Sequence, residues 1–138
     1  MKILRLLLTV AFFALMLPVL SGQNLAKDQM VLTWNFSPKE GVEITTLEDF
    51  VQKEYLPAAK KNFKGMEFYF LKSDRGSSEG TYSILVVLES INMRNEWWPE
   101  KGVSSEKTKA AMEKMKKVEE TFFSLAKIDS WNDWVIHQ

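Results

Sequence analysis

The order in which its hydrophobic periods switch constrains this chain most. "MVLTWNF" alternates: Met30, Leu32, Trp34 and Phe36 point one way, Val31, Thr33 and Asn35 the other. "SPKEG" then ends the strand. In "ITTLEDFVQKEYLPAAKKNFKG" the period becomes helical, with Leu47, Phe50, Val51, Leu56, Ala59 and Phe63 on one stripe and Gly65 as the stop. Thr45 or Thr46 can cap this helix, with Glu48 or Asp49 as the reciprocal partner. Pro57 lacks an amide donor and crowds the carbonyl of Lys53, which predicts a kink; the alternative is a helix ending at Leu56. "MEFYFL" and "TYSILVVLE" are two further strands, joined by the polar loop "KSDRGSSEG".

Ser90 can cap a short helical turn that Pro99 ends after Trp98. A longer helix, Ser104 to Lys127, carries Ala111, Met115, Val118, Phe122 and Leu125 as its buried stripe. Its lysines are balanced by Glu106, Glu113, Glu119 and Glu120, the pattern of a solvated face. "DSWNDWVIHQ" reads as a last strand, with Trp134 and Ile136 on one face and Asp133, Val135 and His137 on the other. The fold class is therefore α+β, in the ferredoxin-like order βαββαβ. Right-handed crossovers place both helices on one face of a four-stranded antiparallel sheet.

Ahead of this pattern stands MKILRLLLTVAFFALMLPVLSGQ. Lys2 and Arg5 precede or interrupt an apolar run to Leu20, and the small residues Ser21 and Gly22 follow. That is the order of a cleaved secretory signal peptide, so residues 1–22 are expected to leave and residues 23–138 to form one domain. No stable membrane anchor would remain, and the expected location is secreted or periplasmic. Removing 22 of 138 residues leaves 116, with 16 basic against 18 acidic side chains, a net charge of −2. Such a balance disfavours nucleic acid as a partner, since phosphate backbones reward clustered positive charge. Cysteine is absent, which excludes disulfides, thiol catalysis and Cys-ligated metals.

On the face of the sheet without helices, the pattern collects Val31, Thr33, Asn35, Glu67, Tyr69, Leu71, Ser83, Leu85, Val87, Glu89, Asp133, Val135 and His137. Six of these thirteen are Val, Leu or Tyr, too many for a sheet surface left in water. Two fates fit: burial against a second copy, or the wall of a ligand cavity. Val31, Leu71, Leu85, Val87 and Val135 are the candidate dimer interface. Thr33, Asn35, Glu67, Tyr69 and His137 are candidate ligand contacts. Trp97 and Trp98, adjacent in "RNEWWPEKG", join them, since paired indoles in a loop-like stretch line a pocket or close an interface. Met93 and Trp97 are expected to seal the core and Trp98 to act as a lid.

The βαββαβ order, the "FVQKEYLPAAKK" helix with its proline and the "LVVLESINMRNEWWPEKG" passage resemble the dimeric α+β barrel superfamily. Within it the chain is similar to NIPSNAP-like and antibiotic-biosynthesis-monooxygenase-like domains. The resemblance implies a homodimer whose sheets pair face to face, with a cavity between sheet and helices in members that bind small molecules. The resemblance does not carry an activity with it; the expected role is non-catalytic, binding or structural, the alternative being a monooxygenase-like activity on an aromatic or other small organic ligand in a cavity between sheet and helices. Some relatives degrade haem with a helix histidine beside an Asn and a Trp. Asn35 and Trp97 or Trp98 could serve, but the helix from Ser104 to Lys127 has no histidine.

Catalytic constellations are otherwise missing. His137 is the only histidine and lies one residue from the end, so no His-x-x-x-His metal pair and no conventional triad can form. "SDRGSSEG" lacks the acids of a calcium loop, and no Gly-rich phosphate loop occurs. The expectation is a protein with no metal and no cofactor, whose partners are a second copy of itself and a small organic molecule.

Overall fold

A computed structural model describes residues 26–137; the expected leader, residues 1–22, lies outside them. Strand β1 spans Met30–Pro38, two residues past Phe36, so the turn begins later than the sequence suggests. Helix α1 follows in three stretches: α-helical Ile44–Phe50, a π-helical turn Val51–Tyr55, and α-helical Leu56–Asn62. Strands β2 (Glu67–Lys72) and β3 (Tyr82–Leu88) come next, then α2 (Ile91–Trp97), α3 (Glu106–Leu125) and β4 (Ala126–Val135). The four strands make one antiparallel sheet in the order β2-β3-β1-β4, the ferredoxin-like arrangement.

The core lies between this sheet and helices α1 and α3. Met30, Leu32 and Phe36 of β1, Phe68 of β2, and Tyr82, Ile84, Val86 and Leu88 of β3 are buried there. They meet Leu47, Phe50, Val51, Tyr55 and Ala59 of α1 and Ala111, Met115 and Phe122 of α3. Glu48 bridges helix to sheet, accepting from Lys72 Nζ (2.9 Å) and Tyr82 Oη (2.7 Å). Those two hydrogen bonds, Lys72 first, hold its carboxyl below the usual carboxylate range.

Pro57 does not end α1. Ahead of it the ladder widens, and the Leu56 amide donates to the carbonyl of Val51, five residues back. A proline inside a helix removes one donor and crowds the preceding turn; here a π-helical turn accommodates both. Neither threonine caps this helix: it starts at Ile44, and Glu43 stands at the cap position without a side-chain bond. Ser90 and Ser105 do cap, accepting from the amides of Met93 (3.2 Å) and Thr108 (3.1 Å). Past α1, Gly65 turns with φ +85°, and a Cβ there would stand 2.5 Å from Met93 Cε.

The main departure is in β4. Pairing with β1 runs Pro38↔Ala126 and Phe36↔Ile128, then shifts, and resumes as Asn35↔Ser130 and Trp34↔Trp131. Asp129 is an extra residue, a β-bulge, and beyond it the alternation inverts. Counted from buried Ala126, Trp134 would lie under the helices; with the bulge, Trp131, Asp133 and Val135 take that side instead. Trp134 therefore stands on the bare face, opposite Val31, and Val135 packs half-buried against the core.

Candidate functional site

The seven candidate ligand contacts do not converge. Thr33, Asn35, Glu67 and Tyr69 are on the bare face, where Tyr69 Oη donates to Glu67 Oε2 (2.5 Å) and Asn35 Nδ2 to Ser130 Oγ (2.9 Å). Trp97 and Trp98 are on the opposite side of the sheet, and Trp97 is only 2% exposed within the core. His137 lies exposed, two residues beyond the end of β4. Among the candidate interface residues, Val31, Leu71, Leu85 and Val87 share the bare face; Val135 does not.

That face is ordered in rows by the sheet register. Glu67, Val87, Val31 and Trp134 form one; Tyr69, Leu85, Thr33 and Asn132 the next; Leu71, Ser83, Asn35 and Ser130 the third. Trp134 is 56% exposed, Leu71 44% and Tyr69 42%. The substitution of Trp134 for Val135 makes the surface more apolar than the sequence pattern suggests.

The helix side holds the concavity with the richest chemistry. β4 is an edge strand, and α3 does not reach over it. A cleft remains along β4 with two compartments that share Trp34 and Trp131, direct cross-strand partners; the first lies beside α2 and the loop after it, the second beside α3. The first, about 330 Å³, is lined by Leu32, Trp34, Trp98, Trp131 and Gly102, with Arg94, Asp133, Glu100 and Lys101 at its margin. The second, about 250 Å³, is lined by Trp34, Tyr55, Phe122, Phe123, Trp131, Met112, Ile128 and Glu119. A larger, open groove of about 760 Å³ runs along the outer face of α3 among alternating lysines and glutamates.

Local chemistry fixes the walls of the first compartment. The Trp98 amide donates to the carbonyl of Arg94 (2.8 Å), and its ring stacks on Phe63 at 6.2 Å, 16° from parallel. One residue earlier, the Trp97 carbonyl accepts from the Ser105 amide (3.0 Å) and the buried Thr108 hydroxyl (2.5 Å). These bonds tie the end of α2 to the start of α3, while Lys107 Nζ sits 4.2 Å over the Trp97 ring. Arg94 Nη1 donates to Asp133 Oδ2 at 3.1 Å, linking α2 to β4. Its Nε is buried without a partner.

In the second compartment, Tyr55 packs on Phe122, ring centroids 4.9 Å apart. Burial, with the Glu119 charge as a smaller contribution, raises the Tyr55 phenol, which stays protonated. Burial also raises the Glu119 carboxyl. No ion pair or hydrogen bond engages Glu119 among the described residues. No group of three or more potential metal ligands forms among the described residues either.

Trp34, Trp131, Arg94, Tyr55 and Glu119 were not singled out by sequence reasoning. A signal was present: Met112, Glu119 and Phe123 fall outside the buried stripe of α3 yet share one face by their seven- and four-residue spacing.

No protein-family model matches the chain, and no curated protein matches it by sequence. Solved structures do match. A NIPSNAP family protein from Agrobacterium tumefaciens is similar with a TM-score of 0.51 at 11% identity, covering 78% of this chain and 91% of that one. A dimeric protein of unknown function and ferredoxin-like fold from Bacteroides fragilis gives 0.47 at 7% identity, covering 80% and 98%. SnoaB, a cofactor-independent oxygenase from Streptomyces nogalater, gives 0.45 at 12% identity, covering 80% and 95%. What the chain has in common with the first of these is the fold, whose strand order here is the ferredoxin-like one.

Proposed function

We propose that this is an exported homodimer that binds a flat, largely apolar organic molecule in the cleft between its sheet and its helices. The observation that carries the binding role is the first compartment, where Trp34, Trp98 and Trp131 line about 330 Å³ beside a small set of polar groups. Ligand sites combine apolar walls with a few placed polar atoms in this way. Indole faces suit planar partners. The Arg94–Asp133 ion pair is among the polar groups that line it.

Two features support the remainder. The bare face carries exposed Trp134, Leu71 and Tyr69 around Leu85 and Val87, a surface suited to a self-complementary sheet-on-sheet contact. The apolar leader with Lys2, Arg5 and the small pair Ser21-Gly22 supports export, and a mature mass lacking residues 1–22 is the expected result of intact-mass measurement on secreted protein. Retention of the full leader would remove that part of the reading.

Titration of neutral planar aromatics, with intrinsic tryptophan emission as the readout, tests the binding role. Saturable quenching is expected, with affinity falling about tenfold or more in Trp98→Ala, since a stacked aromatic wall contributes about 1–3 kcal/mol. Emission that stays flat across a panel of such compounds would overturn it.

A further inference from the structure

The second compartment has a composition that the first lacks. Five aromatic side chains, Trp34, Tyr55, Phe122, Phe123 and Trp131, line it together with one carboxylate, Glu119, and among the described residues no Lys, Arg or His does. We propose that this compartment binds a small organic cation, a quaternary or tertiary ammonium group held between aromatic faces and the Glu119 carboxylate. The proposal rests on the reading of the cleft as a ligand site and names what its inner half recognises.

Three observations lead to a cation rather than a neutral or anionic group. Aromatic rings present a negative face, and a desolvated cation within about 6 Å of several of them gains from each. Glu119 is the only charged group lining the space and has no counter-ion among the described residues. An anion would be repelled there, and a neutral occupant would strip water from the carboxylate without replacing it. An ammonium ion compensates the carboxylate and leaves its alkyl groups against the rings.

Among the described residues no cation fills this role. Lys116, one turn before Glu119, lines the open outer groove of α3, which Glu119, Met112 and Phe123 also border, but does not line this compartment and makes no ion pair with Glu119. Lys39 is engaged on the carbonyl of Phe123 at 2.5 Å. Tyr55 adds a neutral hydroxyl, delivered to the compartment at the end of the π-helical turn. The volume, about 250 Å³, takes a trimethylammonium-sized head group with a short chain. A longer molecule would extend past Trp34 and Trp131 into the first compartment, where Arg94 and Lys101 stand.

The experiment compares tetramethylammonium and choline with 3,3-dimethylbutan-1-ol, the uncharged carbon isostere of choline, by tryptophan emission and calorimetry. The two cations are expected to bind at least tenfold more tightly than the isostere. Glu119→Gln keeps the shape and removes the charge, so it should cut that preference about fivefold or more while leaving isostere binding unchanged, the remainder coming from the rings. Because the variant also relieves a partly buried charge, folding is not expected to suffer. Equal binding of cation and isostere, or a cation preference undiminished in Glu119→Gln, would overturn the proposal, as would absence of ammonium binding at millimolar concentration. Trp98→Ala separates the two readings, since it is expected to weaken neutral planar aromatics and to leave tetramethylammonium binding intact. Vesicles of phosphatidylcholine, run alongside, distinguish a lipid head group from a free ammonium compound as its source.

Discussion

Phe36→Ala should lower the unfolding free energy by about 3–5 kcal/mol, the largest stability loss expected from a single truncation in this domain. Phe36 is fully buried on the central strand β1. Its ring stacks near Tyr82 (5.8 Å) and Phe70 (6.2 Å) and meets the edge of Phe122 at 5.1 Å. The ring thus joins three strands to α3, and its removal leaves a cavity that these neighbours cannot all close around. Domains of this size have about 5–15 kcal/mol in total, so the melting temperature should fall by about 10 °C or more. Phe123→Ala is the contrast: half-exposed and held by one edge contact to Phe122, it should change stability by about 1 kcal/mol or less. Thermal melts of the two variants decide the matter. A Phe36→Ala protein as stable as Phe123→Ala would mean that the core is not centred where the strand register puts it.

Leu85→Lys should convert the proposed homodimer to a folded monomer. Leu85 stands in the middle row of the bare face, between Thr33 and Tyr69. In a two-fold symmetric contact each substitution occurs twice, so two ammonium groups would be brought together in a desolvated patch. Loss of two apolar contacts and the added repulsion should weaken association by about a hundredfold or more. Within the subunit the side chain is half-exposed and faces away from the core, so far-UV circular dichroism should be unchanged. Sedimentation at micromolar concentration reads the outcome. A wild-type protein already monomeric there, or a variant still dimeric, would remove the sheet-to-sheet contact from the account.

The sheet order and the helix-covered faces of β1, β2 and β3 were legible because period two leaves little choice when one side must be buried. Met30, Leu32 and Phe36 could not be outward without exposing a whole row. Pro57 was legible as a disturbance, though not as a π-helical turn, because sequence marks the missing donor but not how the ladder reorganises around it. β4 misled for a specific reason. Trp131 and Trp134 are three apart, so strict alternation must expose one of them, and nothing local to the sequence marks Asp129 as the residue that decides which. Misplacing that strand moved Val135 to the wrong surface and concealed the cleft, whose walls come from β1, β4, α1, α2 and α3 together. Non-local convergence of that kind leaves only faint local marks, such as the off-stripe Met112 and Phe123 of α3.

The three-residue spacing of Trp131 and Trp134 puts two indoles on opposite sides of one edge strand, and the bulge at Asp129 decides which side each takes. Trp131 lines the candidate cleft and Trp134 stands on the bare face proposed for self-association, about 10 Å apart along the strand. Under that proposal, a displacement of this outermost ribbon on filling of the cleft would move Trp134 as well, so occupancy and assembly would be joined through one piece of main chain.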